Sequence, residues 1–361
     1  MNKKKVEFLY LQQEDCIKAG ALEMKLTLKA VERSFFLHGR NDYIQPAKPV
    51  IRWGGPETEE TTGRIMSMPA YLGGQSYAEE LRERGLLGPV NTSGIKFIPS
   101  RPDNPSKHNL PRSNGIIIIV DSETLMPACI MDGTLVSAMR TGAASGVAAK
   151  YLANQDSQVM GMIGASVQGI TQTLAVKESL KSLELCKVYD INPEAIQRYL
   201  KKMQEWECDL EFKIVESHEQ AIRNSDVLCT ATIAREPYVN AEWYKEGVLH
   251  CEISFWDTPP EALKSLDFVV VDDWAQVRHH GVDVSWRAVR DKVIPEAKIR
   301  GNLGDIIVGN KQGRTHRKEK ILFNPIGMGI HDLSEAFRIY RKAVGLGIGR
   351  KLPLWEEPIL G

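Results

Sequence analysis

The chain has 361 residues, a length that favours about two domains. Hydrophobic residues make up 43% of it and charged residues 25%, which is typical of globular proteins. Because 46 Lys and Arg residues balance 46 Asp and Glu residues, the net charge argues against a nucleic-acid partner, whose binding usually needs a basic excess.

The cysteines and the amino terminus bear on the cellular compartment. The 6 cysteines lie far apart in sequence, with no C-x-x-C pair. This spacing indicates reduced thiols and argues against a zinc site, so we expect no bound metal. The first residues, MNKKKVEF, lack the apolar core of a signal peptide, and no apolar run reaches the roughly 18 residues of a membrane span. We therefore expect a cytoplasmic protein with no membrane partner.

The first third of the chain mixes helix and strand patterns. Apolar residues at helical spacing predict a helix over residues 15–38, and a polar Gly/Pro/Glu-rich turn follows at 54–62. A loop rich in Pro, Asn and basic residues occupies 101–113. Short apolar runs predict strands on both sides of this loop, at 64–69, 93–99, 115–121 and 126–131.

From residue 134 onward, strands alternate with helices. An Ala-rich helix leads into repeated strand–helix units, and the runs VLCTA, VLHCEIS and FVVVDD are typical of parallel strands that are buried on both faces. This alternation predicts an α/β fold with a Rossmann-type, doubly wound parallel sheet over residues 146–319. Residues 1–145 and 320–361 are expected to form a second α/β domain together.

A candidate phosphate-binding loop follows the apolar run at 159–163. In a dinucleotide-binding fold, glycines permit a tight turn and close helix packing, while the helix amino terminus attracts phosphate. Here a serine takes the place of the usual middle glycine. The expected cofactor contacts in this loop are Gly164, Ala165, Ser166, Val167 and Gln168.

The ends of two later strands supply further cofactor candidates. The strand after the loop ends in Asp190, and an acid at that place accepts hydrogen bonds from the adenosine ribose hydroxyls. It also repels a 2′-phosphate, so we predict NAD rather than NADP. A structural alternative is that Asp190 caps the helix near Pro193. Thr230 and Thr232 end another strand, and we expect their hydroxyls to contact ribose or nicotinamide.

Several motifs between residues 52 and 340 resemble, in the same order, those of the ornithine cyclodeaminase/mu-crystallin family. They are MPAYLGG, GIKFIPSRPDN, MRTGAASGVAAKYLA, MIGASVQG, CTAT and LFNPIGMGIHDLSEAF. The resemblance implies a Rossmann domain that binds a nicotinamide cofactor, and a second α/β domain that binds substrate and forms a homodimer through its sheet. It also implies chemistry through an imine, by oxidation of a C–N bond or by the reverse reduction.

The same resemblance implies roles for individual residues. Lys96 and Arg140 match residues that bind the substrate carboxylate; Lys96 also lies beside the reacting carbon, and Arg140 also belongs among the cofactor contacts. Arg52 matches a second carboxylate-binding arginine. Asp257 matches the aspartate that moves protons on and off the substrate nitrogen and the attacking water. Without the resemblance, Lys96 fits a surface lysine and Asp257 fits a helix cap.

Some positions depart from the ornithine-converting enzymes of this family. Met66 stands where those enzymes have a glutamate for the distal amine of the substrate, and Asn324 replaces an acid of a late motif. The sequence instead resembles a siderophore-pathway branch that acts on N-(2-amino-2-carboxyethyl)-L-glutamate, an opine-like secondary amine with more than one carboxylate. Basic side chains of the 101–113 loop fit either extra charge for such a substrate or a solvated loop: Arg101, Lys107, His108 and Arg112.

These observations predict an NAD-dependent oxidoreductase that converts an amino-acid-derived secondary amine to an amine and a 2-oxo acid, or runs in reverse. Its substrate site is expected to include Met66. Other activities stay open: a ketimine or pyrroline-carboxylate reductase, an ornithine cyclodeaminase, or an alanine-type dehydrogenase. From a different class, a non-catalytic mu-crystallin-like protein that binds NAD(P)H or another small molecule also fits the motifs.

Overall fold

The computed structural model describes residues 5–54, 63–357 and 359, so the turn expected at 54–62 lies almost wholly outside the described residues. Its strands are β1 (Val6–Leu11), β2 (Tyr43–Ile44), β3 (Val50–Trp53), β4 (Gly63–Leu72), β5 (Thr92–Ser100), β6 (Ile116–Val120), β7 (Pro127–Asp132), β8 (Val159–Ile163), β9 (Leu185–Tyr189), β10 (Glu211–Ile214), β11 (Val227–Thr230), β12 (Leu249–Glu252), β13 (Phe268–Val271), β14 (Ile299–Asn302), β15 (Ile321–Phe323) and β16 (Arg350–Trp355).

The α-helices carry the remaining regular structure, together with short 3-10 turns. They are α1 (Gln13–Lys18), α2 (Met24–Gly39), α3 (Ala78–Glu83), α4 (Asn104–His108), α5 (Thr134–Leu152), α6 (Val167–Ser179), α7 (Pro193–Glu205), α8 (His218–Ile222), α9 (Trp274–His280), α10 (Val284–Arg290), α11 (Leu303–Ile307) and α12 (Gly329–Leu346). Within the described ranges, no helix combines the length and the apolar character that a membrane crossing requires.

The described residues divide into two compact units. The first unit contains those of Met1–Leu37, Asn41–Arg140 and Met328–Gly361, and the second contains His38–Arg40 and Thr141–Gly327. The second unit is built around a parallel sheet with the strand order β10-β9-β8-β11-β12-β15-β13-β14. When its first five strands, β8 to β12, are numbered 1 to 5 in chain order, they lie side by side in the order 3-2-1-4-5. This is the strand order of a Rossmann sheet, which confirms the predicted fold class.

Burial explains why these strands form. The strands β11, β12 and β13 are buried at every residue, as expected for a parallel sheet that is covered on both faces. The second unit extends beyond residue 319, where the sequence analysis placed the end of the Rossmann domain. The added segment includes β15, which pairs with β12 and β13 inside this sheet. This short strand is also buried throughout, so its apolar residues complete the sheet of the second unit.

The first unit has a sheet of its own, with the order β16-β1-β7-β6-β5-β4-β2 and with β3 paired to β4. Its neighbours are antiparallel except for the parallel pair β1 and β7. The helix α12 packs on β4, β5 and β6. This arrangement of helices on a mostly antiparallel sheet is the expected second α/β domain.

Two local predictions need correction. The helix expected over residues 15–38 is two helices, α1 and α2, because Gly20 adopts a left-handed conformation with φ of 88° and ends the first one. Both helices bury apolar side chains, so apolar residues recur at helical spacing on both sides of the break. The spacing alone therefore did not reveal where α1 ends. The basic loop at 101–113 contains the short helix α4, which Pro105 favours at its start.

Candidate functional site

The glycine-rich loop of the second unit has the geometry of a phosphate cradle. Gly164 adopts φ of 100°, and a Cβ there would lie 2.6 Å from the carbonyl oxygen of Ala231. A Cβ on Gly169 would lie 2.2 Å from the carbonyl oxygen of Gly164. Both positions therefore require glycine, one for the tight turn and one for helix packing. Ser166 and Val167 lie exposed at the start of α6, where free backbone N–H groups attract phosphate.

Asp190 lies at the end of β9 and is tied to this loop. Its Oδ2 atom accepts a hydrogen bond from the backbone N–H of Ala165 at 2.7 Å, and its Oδ1 atom accepts one from Asn192 at 2.8 Å. The cap of α7 is the side chain of Asn192, which accepts from the N–H of Glu194. The structure thus excludes the capping alternative for Asp190 and places its carboxylate beside the glycine turn.

Apolar side chains also lie just beyond the carboxyl ends of these strands. Val167 follows β8, Ile191 follows β9 and Ile233 follows β11, with 59%, 85% and 81% of their surfaces exposed. Sequence reasoning did not select Ile191 or Ile233, although an apolar residue two or three positions after a predicted strand was a usable signal. Ligands of open α/β sheets bind outside the carboxyl ends of the strands, and these exposed side chains lie at that edge of the sheet.

The two threonines after β11 face different surroundings. The hydroxyl of Thr230 is fully buried and lies 3.0 Å from Nε2 of His250, so it points into the interior rather than to the strand edge where a cofactor contact was expected. The hydroxyl of Thr232 donates to Oδ1 of Asp257, and its N–H donates to Oδ2 at 3.3 Å. Burial lowers the pKa of His250 to about 3, so this imidazole is neutral.

Asp257 is held in a buried polar cluster. Only 1% of its surface is exposed, and its backbone carbonyl accepts hydrogen bonds from the N–H groups of Tyr238 and Val239. Burial and the charge of Asp257 together raise the pKa of Tyr238 well above its usual range. The ring of His218 stacks on Tyr238 at 4.0 Å between centroids. Asp257 does not cap the following 3-10 turn, whose first flanking residue is Pro259.

Glu252 is a carboxylic acid beneath Asp257 that sequence reasoning missed. It is fully buried, and its Oε1 atom accepts hydrogen bonds from the N–H groups of Asp257 and Thr258 at 3.1 and 3.3 Å. Burial raises the pKa of Glu252 to about 8, so this carboxyl is protonated at neutral pH. It therefore fixes the backbone that carries Asp257 without adding a second negative charge there.

In the first unit, Lys96 and Arg140 converge on one carboxylate. Oδ1 of Asp332 accepts hydrogen bonds from Nζ of Lys96 at 2.8 Å and from Nε of Arg140 at 2.9 Å. The three side chains are buried, with exposed fractions of 2%, 7% and 1% for Lys96, Arg140 and Asp332. Lys96 also donates to the hydroxyl of Ser137 at 3.1 Å. The structure thus brings together both predicted carboxylate-binding residues and excludes a surface position for Lys96.

When Lys96 is protonated, the charges of this cluster do not cancel, because two cations then share one acid. Burial, and then the charge of Arg140, lower the pKa of Lys96 to about 7, while Asp332 opposes this decrease. Oδ2 of Asp332 is buried and has no hydrogen-bond partner among the residues that the structure describes. Sequence reasoning selected the motif around Asp332 but gave that residue no role. With Lys96 protonated, the cluster carries one excess positive charge, which one bound carboxylate would balance.

The other sequence candidates of the first unit lie on β3 and β4. Arg52 is exposed on β3, directly opposite Arg64 of β4, and Met66 is opposite Ile98 of β5. In the basic loop, Asp103 pairs with both Arg101 and Lys107, at 2.6 and 2.9 Å. His108 ends the short helix α4.

The remaining expectations concern Asn324 and a metal site. Asn324 is buried, and its Oδ1 atom accepts a hydrogen bond from the hydroxyl of Ser285 at 2.7 Å while Nδ2 donates to the carbonyl of Glu252 at 3.3 Å. Asn324 therefore holds the carboxyl end of β12 through the backbone of Glu252. In the part of the chain that the structure describes, no group of three or more His, Cys, Asp or Glu side chains is placed to hold a metal ion.

Comparison with known proteins gives one family. Residues 19–346 match the model of the ornithine cyclodeaminase/mu-crystallin family. The chain is 34% identical over 349 residues to N-((2S)-2-amino-2-carboxyethyl)-L-glutamate dehydrogenase of Staphylococcus aureus, which covers 97% of this chain and 99% of the relative.

Solved structures of amino-acid dehydrogenases and imine reductases are also similar to this chain. Delta(1)-pyrroline-2-carboxylate reductase of Thermococcus litoralis, in complex with NADH and L-proline, has a TM-score of 0.81 and 33% identity, over 95% of this chain and 99% of that one. An archaeal alanine dehydrogenase dimer with bound NAD has a TM-score of 0.81 and 29% identity, over 97% and 100% of the two chains.

Proposed function

Because the chain belongs to the ornithine cyclodeaminase/mu-crystallin family, we propose that it is an NAD-dependent oxidoreductase acting on the C–N bond of an amino-acid-derived amine through an imine. The second unit is the cofactor domain, and the first unit is the substrate-binding and dimerisation domain. The observation that carries the proposal is the buried cluster of Lys96, Arg140 and Asp332, whose excess positive charge matches one carboxylate.

The residues of the second unit fit a dinucleotide. The turn at Gly164, where a Cβ would fill the cradle, and the exposed start of α6 hold the pyrophosphate, with Ser166, Val167 and Gln168 at the helix start. Asp190 accepts hydrogen bonds from the adenosine ribose and disfavours a 2′-phosphate, which supports NAD over NADP. Thr232 remains a candidate for a cofactor contact. When bound, the nicotinamide accepts or donates a hydride.

Lys96 and Arg140 bind the substrate, and Asp257 moves its protons. Lys96 and Arg140 hold the carboxylate next to the reacting carbon, and such positioning contributes several kcal/mol to catalysis, on the order of 7 or more in well-oriented cases. Asp257, oriented by Thr232, accepts a proton from the water that adds to the imine carbon and returns a proton to the nitrogen. The substrate C–N bond then breaks to give an amine and a 2-oxo acid.

Among related substrates, we propose an opine-like secondary amine such as N-(2-amino-2-carboxyethyl)-L-glutamate, in the supply of a siderophore precursor. Support comes from the relative that is 34% identical over nearly the whole chain. Met66 supports it as well, because a thioether cannot neutralise the distal amine of ornithine. We further propose a cytoplasmic homodimer, as one similar structure is a dimer.

A substrate panel tests this function. The purified full-length chain is mixed with NAD or NADP and candidate opines, alanine or ornithine, and with NADH and cyclic imines, while the absorbance of reduced nicotinamide is recorded. We expect turnover with NAD and a polycarboxylic opine, and at least tenfold lower kcat/KM for the other substrates. Tight NADH binding without turnover on any member would favour the non-catalytic alternative instead.

A further inference from the structure

Asp257 has to exchange protons with solvent, although its own side chain is buried. In the proposed oxidation, a hydride passes from the substrate carbon to NAD, water adds to the imine, and the C–N bond breaks. With the amines counted in the same protonation state, substrate, NAD and water give the 2-oxo acid, the amine, NADH and one proton. Only 1% of the Asp257 surface is exposed, so neighbouring groups have to carry this proton to solvent.

Three titratable side chains near Asp257 differ in their access to solvent. Glu252 accepts a hydrogen bond from the N–H of Asp257 but is fully buried. Tyr238 lies in the loop after β11, and its N–H donates to the Asp257 carbonyl at 3.0 Å. His218 begins α8 and is half-buried. Burial lowers the pKa of His218 and the charge of Asp257 opposes this decrease, so the two groups interact. An imidazole at the surface is a suitable group for releasing protons near neutral pH.

The hydroxyl of Tyr238 has its hydrogen-bonding capacity free. Its oxygen is buried and has no hydrogen-bond partner among the residues that the structure describes. A phenol both donates and accepts hydrogen bonds, and burying it without a partner is costly. Burial and then the charge of Asp257 raise the pKa of Tyr238 well above its usual range, so the hydroxyl stays protonated. Such a group relays a proton by accepting one while it gives up its own, and it does not become charged.

Aromatic contacts hold the imidazole of His218 next to this hydroxyl. The rings of His218 and Tyr238 are stacked, with 4.0 Å between centroids and 22° between planes. Tyr189, at the end of β9, packs edge-on against His218 with 4.6 Å between centroids. In such a stack the phenol oxygen lies roughly 4–6 Å from an imidazole nitrogen, a gap that one bridging water spans. The two tyrosines thus keep the imidazole within reach of the buried hydroxyl.

We propose that Tyr238 and His218 form a proton route between Asp257 and solvent. Asp257 passes the proton that it took from water to the oxygen of Tyr238. The hydroxyl gives its own proton through a bridging water to His218, which releases it to solvent. In imine reduction, which consumes one proton, the same groups carry it inward. This inference rests on the proposed function and deepens it by assigning the groups that restore Asp257 after each turnover.

Chemical rescue of His218→Ala tests the route. The full-length variant is assayed with NAD and N-(2-amino-2-carboxyethyl)-L-glutamate, with and without imidazole in the buffer. We expect kcat to fall at least tenfold, while KM and the affinity for NADH change less than twofold. Added imidazole can take the place of the missing ring, so it is expected to raise kcat of the variant at least fivefold and to leave the unchanged chain unaffected. A role of His218 in folding alone would not respond to imidazole.

Tyr238→Phe tests the hydroxyl, because it keeps the aromatic ring and removes one oxygen. It is expected to lower kcat at least tenfold, without rescue by imidazole. Tyr244→Phe is the matched control: the hydroxyl of Tyr244 is also buried, but it lies 2.9 Å from Nδ1 of His250. This control is expected to lower stability and to change kcat less than twofold. His279→Ala, at an exposed position of α9, is the corresponding histidine control.

The outcomes separate the route from the function on which it rests. If the unchanged chain turns over and His218→Ala matches it, or loses activity that imidazole does not restore, the route is overturned. A Tyr238→Phe variant as active as Tyr244→Phe would also overturn it. Failure of the proposed oxidoreductase function has a different signature, because the unchanged chain would then show no turnover with or without imidazole, and the route would fall with it.

Discussion

A buried lysine and a buried arginine that share one aspartate are the chemical centre of the first unit. Removing charged groups from water is costly, and the cost is offset here by Asp332, which contacts both cations at under 3 Å. The remaining positive charge is available to a ligand carboxylate. Because the pKa of Lys96 is about 7, against about 10.4 for an ordinary lysine, its charge titrates near neutral pH.

This arrangement predicts a pH dependence that Asp332→Asn shifts. Lys96 must be protonated to bind a carboxylate, so kcat/KM is expected to fall as the pH rises through the pKa of Lys96. Asp332 raises that pKa. Its replacement by asparagine therefore moves the fall in kcat/KM to lower pH, by about one unit, and weakens substrate binding at pH 8 by tenfold or more.

The control for this variant lies on the same helix. Glu335 is also buried, and it pairs with Arg338 rather than with Lys96. Glu335→Gln is expected to lower stability without moving the pH profile. A profile of Asp332→Asn that coincides with that of the unchanged chain would contradict the assigned role of Asp332.

At the scale of elements, the turn from β8 into α6 depends on a single backbone conformation. Gly164 combines a positive φ with a close approach to the carbonyl of Ala231, so no other residue fits without moving that strand end. The N–H of Gly164 also bonds to the carbonyl of Tyr189, next to Asp190. The turn, the helix start and the acid of β9 are therefore one connected structure.

We expect Gly164→Ala to destabilise this turn and to weaken cofactor binding. The strained conformation and the short contact cost about 1–3 kcal/mol in the free energy of unfolding, and NADH affinity falls at least tenfold. Both are measurable, by denaturant unfolding and by nicotinamide fluorescence. Gly345→Ala in α12, where a Cβ meets no described atom within 4 Å, is expected to leave NADH affinity unchanged. Unchanged affinity in Gly164→Ala as well would show that the turn does not hold the cofactor.

The elements show why part of the site was predictable and part was not. Strands β8 and β9 and the glycine loop follow from apolar runs and turn residues, which are local signals. The buried direction of the Thr230 side chain depends on its partner His250, which lies on the neighbouring strand β12. A pattern within β11 alone does not show this contact. Likewise, the contact of Asp332 with Lys96 joins residues far apart in sequence, which no local pattern encodes.

At the scale of the whole molecule, chemistry is divided between two units with separate cores. The residues assigned to the cofactor, apart from Arg140, lie with Asp257 in the unit with the parallel sheet, whereas Lys96, Arg140 and Asp332 lie in the other. Sequence patterns predicted β4 to β7 of one sheet and the buried parallel strands of the other, but not β1, β3 or β16. The boundary at 319 left out β15, because a three-residue strand carries too little pattern to assign.

The most direct measurement of the central claim compares the unchanged chain with Asp257→Asn in one experiment. Each protein is loaded with NADH, the binding is followed by nicotinamide fluorescence, and an imine, formed from a 2-oxo acid and an amine, is then added. We predict equal NADH affinity for both, rapid NADH oxidation by the unchanged chain, and oxidation at least a hundredfold slower by Asp257→Asn. Failure of the unchanged chain to bind NADH, or equal rates in the two proteins, would contradict the account.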